Sequence, residues 1–214
     1  TGHEKLRSYF SRIRVSGDRL MLLVNDLLDL SKLESGQMVL NLGPLQLDVV
    51  VHDVIGEFDL IVHTRRLHID LQDDGPLPAI IGDAARIGQV VRNLLSNAVK
   101  FTPDGRTIHV RLAADSLPDG RPAVSLGVSD EGVGIPPDEF DAVFDKFVQS
   151  SRTRTGAGGT GLGLAICREI VEAHHGRIVA RNNAAGGAEF IVDLPVGEAP
   201  PAAQAAVVAE GETG

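Results

Sequence analysis

Two glycine-rich stretches interrupt otherwise regular strand and helix patterns, and they restrict the fold more than any other feature of the chain. "DEGVGIP", residues 130–136, follows a strand-like run, and "GGTGLGLAI", residues 158–166, carries four glycines and then opens a helix. Glycines at this density raise the entropy lost on folding. Their retention calls for a close approach to the backbone at both places, and one bound molecule crowding both clusters would account for it. Gly161 and Gly163 at a helix start would offer backbone N–H groups to an anion. The Gly-Lys-Ser/Thr of a Walker loop is absent, and a dinucleotide-binding loop would follow the first strand, whereas this loop comes late.

Around these clusters the pattern divides the chain into residues 1–38, 39–196 and 197–214. Leu6, Phe10, Ile13, Leu20, Val24, Leu27 and Leu30 recur at helical spacing, predicting one long helix from residue 4 to about 36, with Gly36 as its stop. Arg12, Arg14, Asp18, Arg19, Asp26 and Lys32 mostly fall off that stripe. Such a stripe needs a partner helix to cover it. In the second region strand and helix patterns mix. Strands are expected at 38–42, 67–72, 107–115 and 122–130, helices at 47–66, 83–101 and 161–175, and a closing hairpin over "AAGG" at 184–187. The expected fold is α/β: a mixed β-sheet with helices packed on one face, preceded by one long helix. Residues 197–214 are small, proline-bearing and acidic, and read as a flexible tail or linker.

The formal net charge of -9 disfavours nucleic acid as a partner. The single cysteine, Cys167, lies in an apolar run and is expected to be a core residue. No stretch reaches membrane-spanning length and no signal peptide is visible, so a cytoplasmic location without membrane contact is expected, although the parent protein could be anchored.

The helix 83–101 carries Ile87, Val91, Leu94 and Ala98 on one face and Arg86, Gln89, Asn93, Asn97 and Lys100 on a narrower one. Two asparagines one turn apart are poor interior helix formers. An amide oxygen suits Mg²⁺, and a nearby lysine suits phosphate. The spacing alone leaves a solvated face and a ligand-binding face equally open. Asp130 sits where a strand ends, with Gly132 and Gly134 after it; an ordinary turn is one reading, and a carboxylate accepting from a base amino group is the other.

The order decides between them. "DAARIGQVVRNLLSNAVKFT", "DEGVGIP", "FDAVFDKF" and "GGTGLGLAI" together resemble the N, first-glycine, phenylalanine and second-glycine boxes of sensor histidine kinases. "RLMLLVNDLLDLSKLESGQ" resembles the second helix of that family's dimerisation hairpin. The resemblance implies a Bergerat ATP-binding fold over 39–196, an incomplete hairpin over 1–38, and ATP and Mg²⁺ as ligands. It makes Asn93 the Mg²⁺ ligand, with Asn97 and Lys100 on the phosphates and Asn93 and Lys100 in the catalytic role. It puts Asp130 on the adenine amino group, with Gly132, Gly134 and Ile135 beside it. Residues from about 145 to 160 would form the lid, and Phe144 and Phe147 would belong to the phenylalanine box. Thr160, Gly161, Leu162 and Gly163 would cradle phosphates. Arg152 and Arg154 are basic candidates for the terminal phosphate.

Two departures stand out. The family often has threonine where Ala188 lies, in "GGAEF". Its phosphoacceptor motif resembles His-Glu-Leu-Arg-Thr-Pro, whereas His3-Glu4 is followed by Lys5 and no proline. The acceptor is therefore expected on an upstream helix, with a response-regulator receiver domain as the next partner and a homodimer in the parent. A nucleotide-binding pseudokinase, or another ATPase of the superfamily such as an anti-sigma serine kinase, is the alternative. His174 and His175 are expected to act as a cap charge at a helix end.

Overall fold

The computed structural model describes residues 2–34, 39–153 and 160–197. In chain order the elements are α1 (Gly2–Glu34), β1 (Gly43–Leu45), α2 (Leu47–Glu57), α3 (Asp59–Thr64), β2 (His68–Asp73), β3 (Ile80–Gly82), α4 (Ala84–Phe101), β4 (Thr107–Ser116), β5 (Pro122–Ser129), α5 (Gly163–Ala173), β6 (Arg177–Asn182) and β7 (Ala188–Pro195). Five strands form one mixed sheet in the order β2-β4-β5-β7-β6, while β1 and β3 pair separately. β2 runs parallel to β4, and the other ladders are antiparallel.

Alternation fixes which face of the sheet is covered. Ile108, Val110 and Leu112 of β4 are buried while His109 and Arg111 between them are exposed. The buried sides of β4, β5 and β7 meet Val51 and Val54 of α2, Ile87, Val91 and Leu94 of α4, and Ile166 and Ile170 of α5 in one core. Each such side chain contributes roughly 1.5–3 kcal/mol through burial. The expected sheet with helices on one face is present.

Helix α4 owes its start to Asp83, whose carboxylate accepts from the N–H groups of Ala85 at 3.0 Å and Arg86 at 3.2 Å. Burial alone would raise this carboxyl, but N–H donors from Asn41, Arg86 and Ala85 outweigh it and hold it below the usual carboxylate range. The imidazole of His174 ties the far end of α5 to the same place. Its Nε2 accepts from Asp83 N–H at 2.9 Å and its Nδ1 donates to the Ile170 carbonyl at 2.7 Å. His174 thus links the last turn of α5 to the start of α4 through both ring nitrogens.

Other expectations shift. The strand expected at 38–42 moves on to Gly43–Leu45: Val39 and Leu42 are exposed and find no sheet to cover, and Met38 lies outside the described residues. The helix expected over 47–66 is two helices, separated at Phe58, whose N–H turns back to Ile55. The three residues of β3 are too few to give a period. α5 ends with His175 in the left-handed region, φ 58°, rather than with Gly176. Gly176 is needed for packing, since a methyl group there would sit 2.5 Å from the Asp193 carbonyl oxygen. The long helix forms as expected, and Phe10, Ile13, Leu20, Val24 and Leu27 on its stripe are exposed. The side chains of Leu6 and Leu30, with Gly36 and the tail from residue 198, lie outside the described residues. Among the described residues no helix is long and apolar enough to cross a membrane.

Candidate functional site

A cavity of about 380 Å³ opens between α4, the loop after β5 and the start of α5. Its closed end is built around Asp130, which is 4% exposed. The carboxylate Oδ1 accepts from Gly132 N–H at 2.8 Å and from Ala188 N–H at 3.2 Å. Those two bonds fix the side chain and leave Oδ2 for the cavity that Asp130 lines. Burial pushes the carboxyl above its ordinary range, and the two N–H groups offset part of that rise.

The other end is built from α4 and α5. Asn93 donates from Nδ2 to the Gly163 carbonyl at 3.1 Å, which orients the amide and leaves Oδ1 as its acceptor. Asn97 and Lys100 follow on the same face of α4 and line the cavity. Among the described residues no side chain caps α5, in contrast to Asp83 on α4. The first N–H groups of α5 therefore remain as donors beside the cavity. Thr160 Oγ1 accepts from Leu162 N–H at 3.1 Å and donates to Asp26 Oδ2 of α1 at 3.3 Å. Burial raises the Asp26 carboxyl, the Thr160 bond lowers it and the Asp29 charge adds to the rise. One turn further along α1, Asp29 Oδ2 accepts from Arg86 Nη1 at 2.9 Å and Gln89 Nε2 at 3.2 Å.

Nine of the expected site residues share this cavity: Asn93, Asn97, Lys100, Asp130, Gly134, Ile135, Thr160, Gly161 and Gly163. Gly132, Phe147 and Leu162 do not line it. Gly132 supplies the N–H that orients Asp130, and the Leu162 side chain is fully buried in the core. Phe147 is exposed, with φ 62°, and its N–H donates to the Gly161 carbonyl at 2.9 Å. Phe144 is buried edge-on to Phe190. Arg152 donates from Nη1 to the Val133 carbonyl at 2.8 Å, beside the closed end, and Arg154 lies outside the described residues. Cys167 is a core residue, as expected, its thiol pushed up to about 12 by burial.

The reason for the glycines also changes. A methyl group at Gly132 would sit 2.7 Å from the Phe101 carbonyl oxygen, and one at Gly134 2.5 Å from that of Gly186. At Gly161 it would meet the Phe147 backbone at 2.9 Å. The protein's own backbone crowds these three. At Gly163 the nearest atom is 3.7 Å away, on Asn93, so the fold itself leaves room there.

The sequence profile of the histidine kinase-, DNA gyrase B-, and HSP90-like ATPases matches residues 82–198, more than half of the chain. The chain belongs to this ATPase family. Its relatives include the hybrid signal transduction histidine kinase D of Dictyostelium discoideum, 38% identical over 180 residues, which are 83% of this chain and 12% of that protein. The circadian input-output histidine kinase CikA of Synechococcus elongatus is 36% identical over 195 residues, 90% of this chain and 25% of CikA. The chain thus spans a quarter or less of these two relatives. Full-length ShkA, solved in complex with AMPPNP, matches with a TM-score of 0.75 and 33% identity over 90% of this chain and 39% of ShkA. Within the ATPase family these relatives are histidine kinases, and the five-stranded sheet with its helices is the fold the chain shares with ShkA.

Three residues that shape the cavity were not singled out as site residues in the sequence. Asp26 reaches the cavity from the first helix. Asn182 and Asn183, on the final hairpin, bond to the loop that carries Asp130. Only the adjacent polar pair "NN" at the end of a strand pattern could have drawn attention to the latter two.

Proposed function

We propose that the cavity binds one ATP, with the base at Asp130 and the triphosphate between α4 and the start of α5, and that its γ-phosphoryl group passes to a histidine outside this chain for relay to a response-regulator aspartate. The observation that supports this most is the pairing of ends. A carboxylate with one oxygen tied down and one left over closes the cavity, and Asn93, Lys100 and an uncapped helix N terminus lie at the other side.

In this reading Asp130 Oδ2 accepts from the adenine amino group, with Gly134 and Ile135 against the ring and Gly132 holding the carboxylate. Asn97, Lys100, Thr160, Gly161 and Gly163 contact the phosphates, while Leu162 and Phe147 support that segment from behind. Asn93 Oδ1 holds Mg²⁺, which would neutralise charge between the phosphates. Lys100 and the amides of α5 stabilise negative charge as it shifts during transfer. Residues 39–196 are the catalytic domain, and 1–38 belong to the dimerisation hairpin.

The acceptor is proposed to lie elsewhere because His3 departs from the family's motif at Lys5. Transfer needs the nucleophile within roughly 3–3.5 Å of phosphorus and in line. Incubation with labelled Mg-ATP and a separately supplied acceptor hairpin tests this. Acid-labile phosphohistidine is expected on the hairpin and none on this chain. Phosphate on His3 would make the chain its own acceptor, and binding without any transfer would favour the pseudokinase reading.

A further inference from the structure

We propose that Asn182 and Asn183 are positioning residues for nucleotide recognition: from the far end of the sequence they set the shape of the loop that carries Asp130. The proposal rests on the reading of the cavity as an ATP site.

The contact is a mutual one. Ile135 N–H donates to Asn182 Oδ1 at 2.8 Å, and Asn182 Nδ2 donates back to the Ile135 carbonyl at 2.8 Å. One amide side chain therefore satisfies both polar groups of one buried residue, 47 positions away. Asn183 holds the end of β5 and the residue after it by donation alone. Its Nδ2 donates to the Asp130 carbonyl at 2.7 Å and to Ser129 Oγ at 2.7 Å. Its Oδ1 accepts from the N–H groups of Ala185 and Gly187, both at 3.0 Å, which shapes the turn between β6 and β7. The two segments are seated so closely that a methyl group on Gly134, φ 67°, would lie 2.8 Å from Asn182 Oδ1.

The chemistry of this clamp is narrow. Only a side chain with a donor and an acceptor on one planar group of this length can pair with a backbone N–H and carbonyl together. Aspartate at 182 would set a carboxylate oxygen against the Ile135 carbonyl, and serine would keep one bond. Asp130 and Ile135 both line the cavity, so the clamp fixes the spacing between the group that accepts from the base and the residue against its ring. That spacing does not reach Asn93 or Lys100 on α4. The expected signature is loss of base recognition with the phosphate end intact.

The test uses Asn182→Asp and Asn182→Ser beside Asp130→Asn, each titrated calorimetrically with Mg-ATP and adenosine. Asn182→Asp is expected to weaken both ligands by about tenfold, and Asn182→Ser by about threefold. With a supplied acceptor hairpin, KM for ATP should rise by the same factor while kcat stays within about twofold. Hydrogen exchange should quicken at residues 131–135 and not in β4 or β5. Unchanged affinity in both Asn182 variants, with Asp130→Asn still weakened, would overturn the clamp and leave the ATP site standing. Faster exchange throughout the sheet, or a fall in kcat matching the rise in KM, would reduce Asn182 to a general stabilising role and overturn the proposal. No effect of Asp130→Asn would instead remove the site reading beneath it.

Discussion

The two ends of the cavity are made in different ways. At the base end the protein is packed against itself. Asp130 is buried, two backbone N–H groups hold its Oδ1, and methyl groups on Gly132, Gly134 or Gly187 would lie 2.7, 2.5 and 1.9 Å from protein atoms. At the other end a methyl group on the first residue of α5 would lie 3.7 Å from Asn93, an ordinary contact, no side chain among the described residues caps the helix, and the Thr160 hydroxyl bonds to Asp26 of α1. The base end of the proposed site is thus preorganised by folding, whereas its phosphate end would offer the N–H groups of a helix start to the ligand. Among the described glycines of the two motifs, Gly163 is the one at which a methyl group would meet no atom closer than an ordinary contact.

Breaking the base end should have the largest effect. Gly187→Ala drives a methyl group into the Asp130 carbonyl, and overpacking on the order of 3 kcal/mol corresponds to about a hundredfold loss of ATP affinity or a lowered melting temperature. Calorimetry and thermal unfolding would show it. An affinity near that of the unaltered protein would mean that the closed end is looser than its geometry.

Asp130→Asn should come next. It can keep the bonds from Gly132 and Ala188 while turning the cavity-facing acceptor into a donor. An unmatched donor costs on the order of 1–3 kcal/mol, so ATP affinity should fall at least about tenfold with little change in melting temperature. The same residue sets a pH dependence with two opposite signs. Its folded-state pKa is raised by burial. Stability from this group is therefore fully present below the unfolded-chain pKa and is lost as pH rises through the folded value. Nucleotide binding needs the carboxylate, so affinity should fall as pH drops through that same raised value, earlier than an exposed aspartate would allow. Titrations from neutral to acid pH should show binding weakening while the empty domain is not destabilised by Asp130.

Asn93→Ala sharpens the comparison from the other side. It should weaken Mg-ATP by about tenfold and metal-free ATP by only about twofold, leaving adenosine unchanged. Equal losses with and without Mg²⁺ would assign Asn93 to the Gly163 contact alone. The smallest effect on folding is expected for Gly163→Ala. A methyl group there makes an ordinary contact, and alanine in a helix is favoured over glycine by up to about 1 kcal/mol, so melting temperature should hold or rise. ATP affinity should still fall while adenosine affinity does not.

The sequence was most legible where one short segment carries its own period or motif. Helix α4 appears at Ala84–Phe101 against the expected 83–101, because its apolar face and the Asp83 cap are both local signals. The alternation of β4 and β5 is local in the same sense. The order of the four motifs identified the family, and most of the residues it nominated converge on one cavity. What could not be read was set by distant partners. β3 exists because β1 lies beside it. The Asn182 and Asn183 contacts span 47 and 53 residues, and the Asp26 contact with Thr160 spans 134. The glycines misled in a related way: their spacing shows that the backbone is approached closely but not by what, and at Gly132, Gly134 and Gly161 the neighbour is another part of the chain.

The two ends are proposed to belong to a single nucleotide site. Amide NMR spectra recorded during titration with Mg-ATP, and separately with adenosine, test it most directly. The account predicts that Mg-ATP shifts the amides of Gly134 and Ile135 and those of Gly163 and Leu164 together, with one affinity, and that adenosine shifts only the first pair. Saturation with Mg-ATP that leaves either pair unmoved, or moves the two with different affinities, would contradict it.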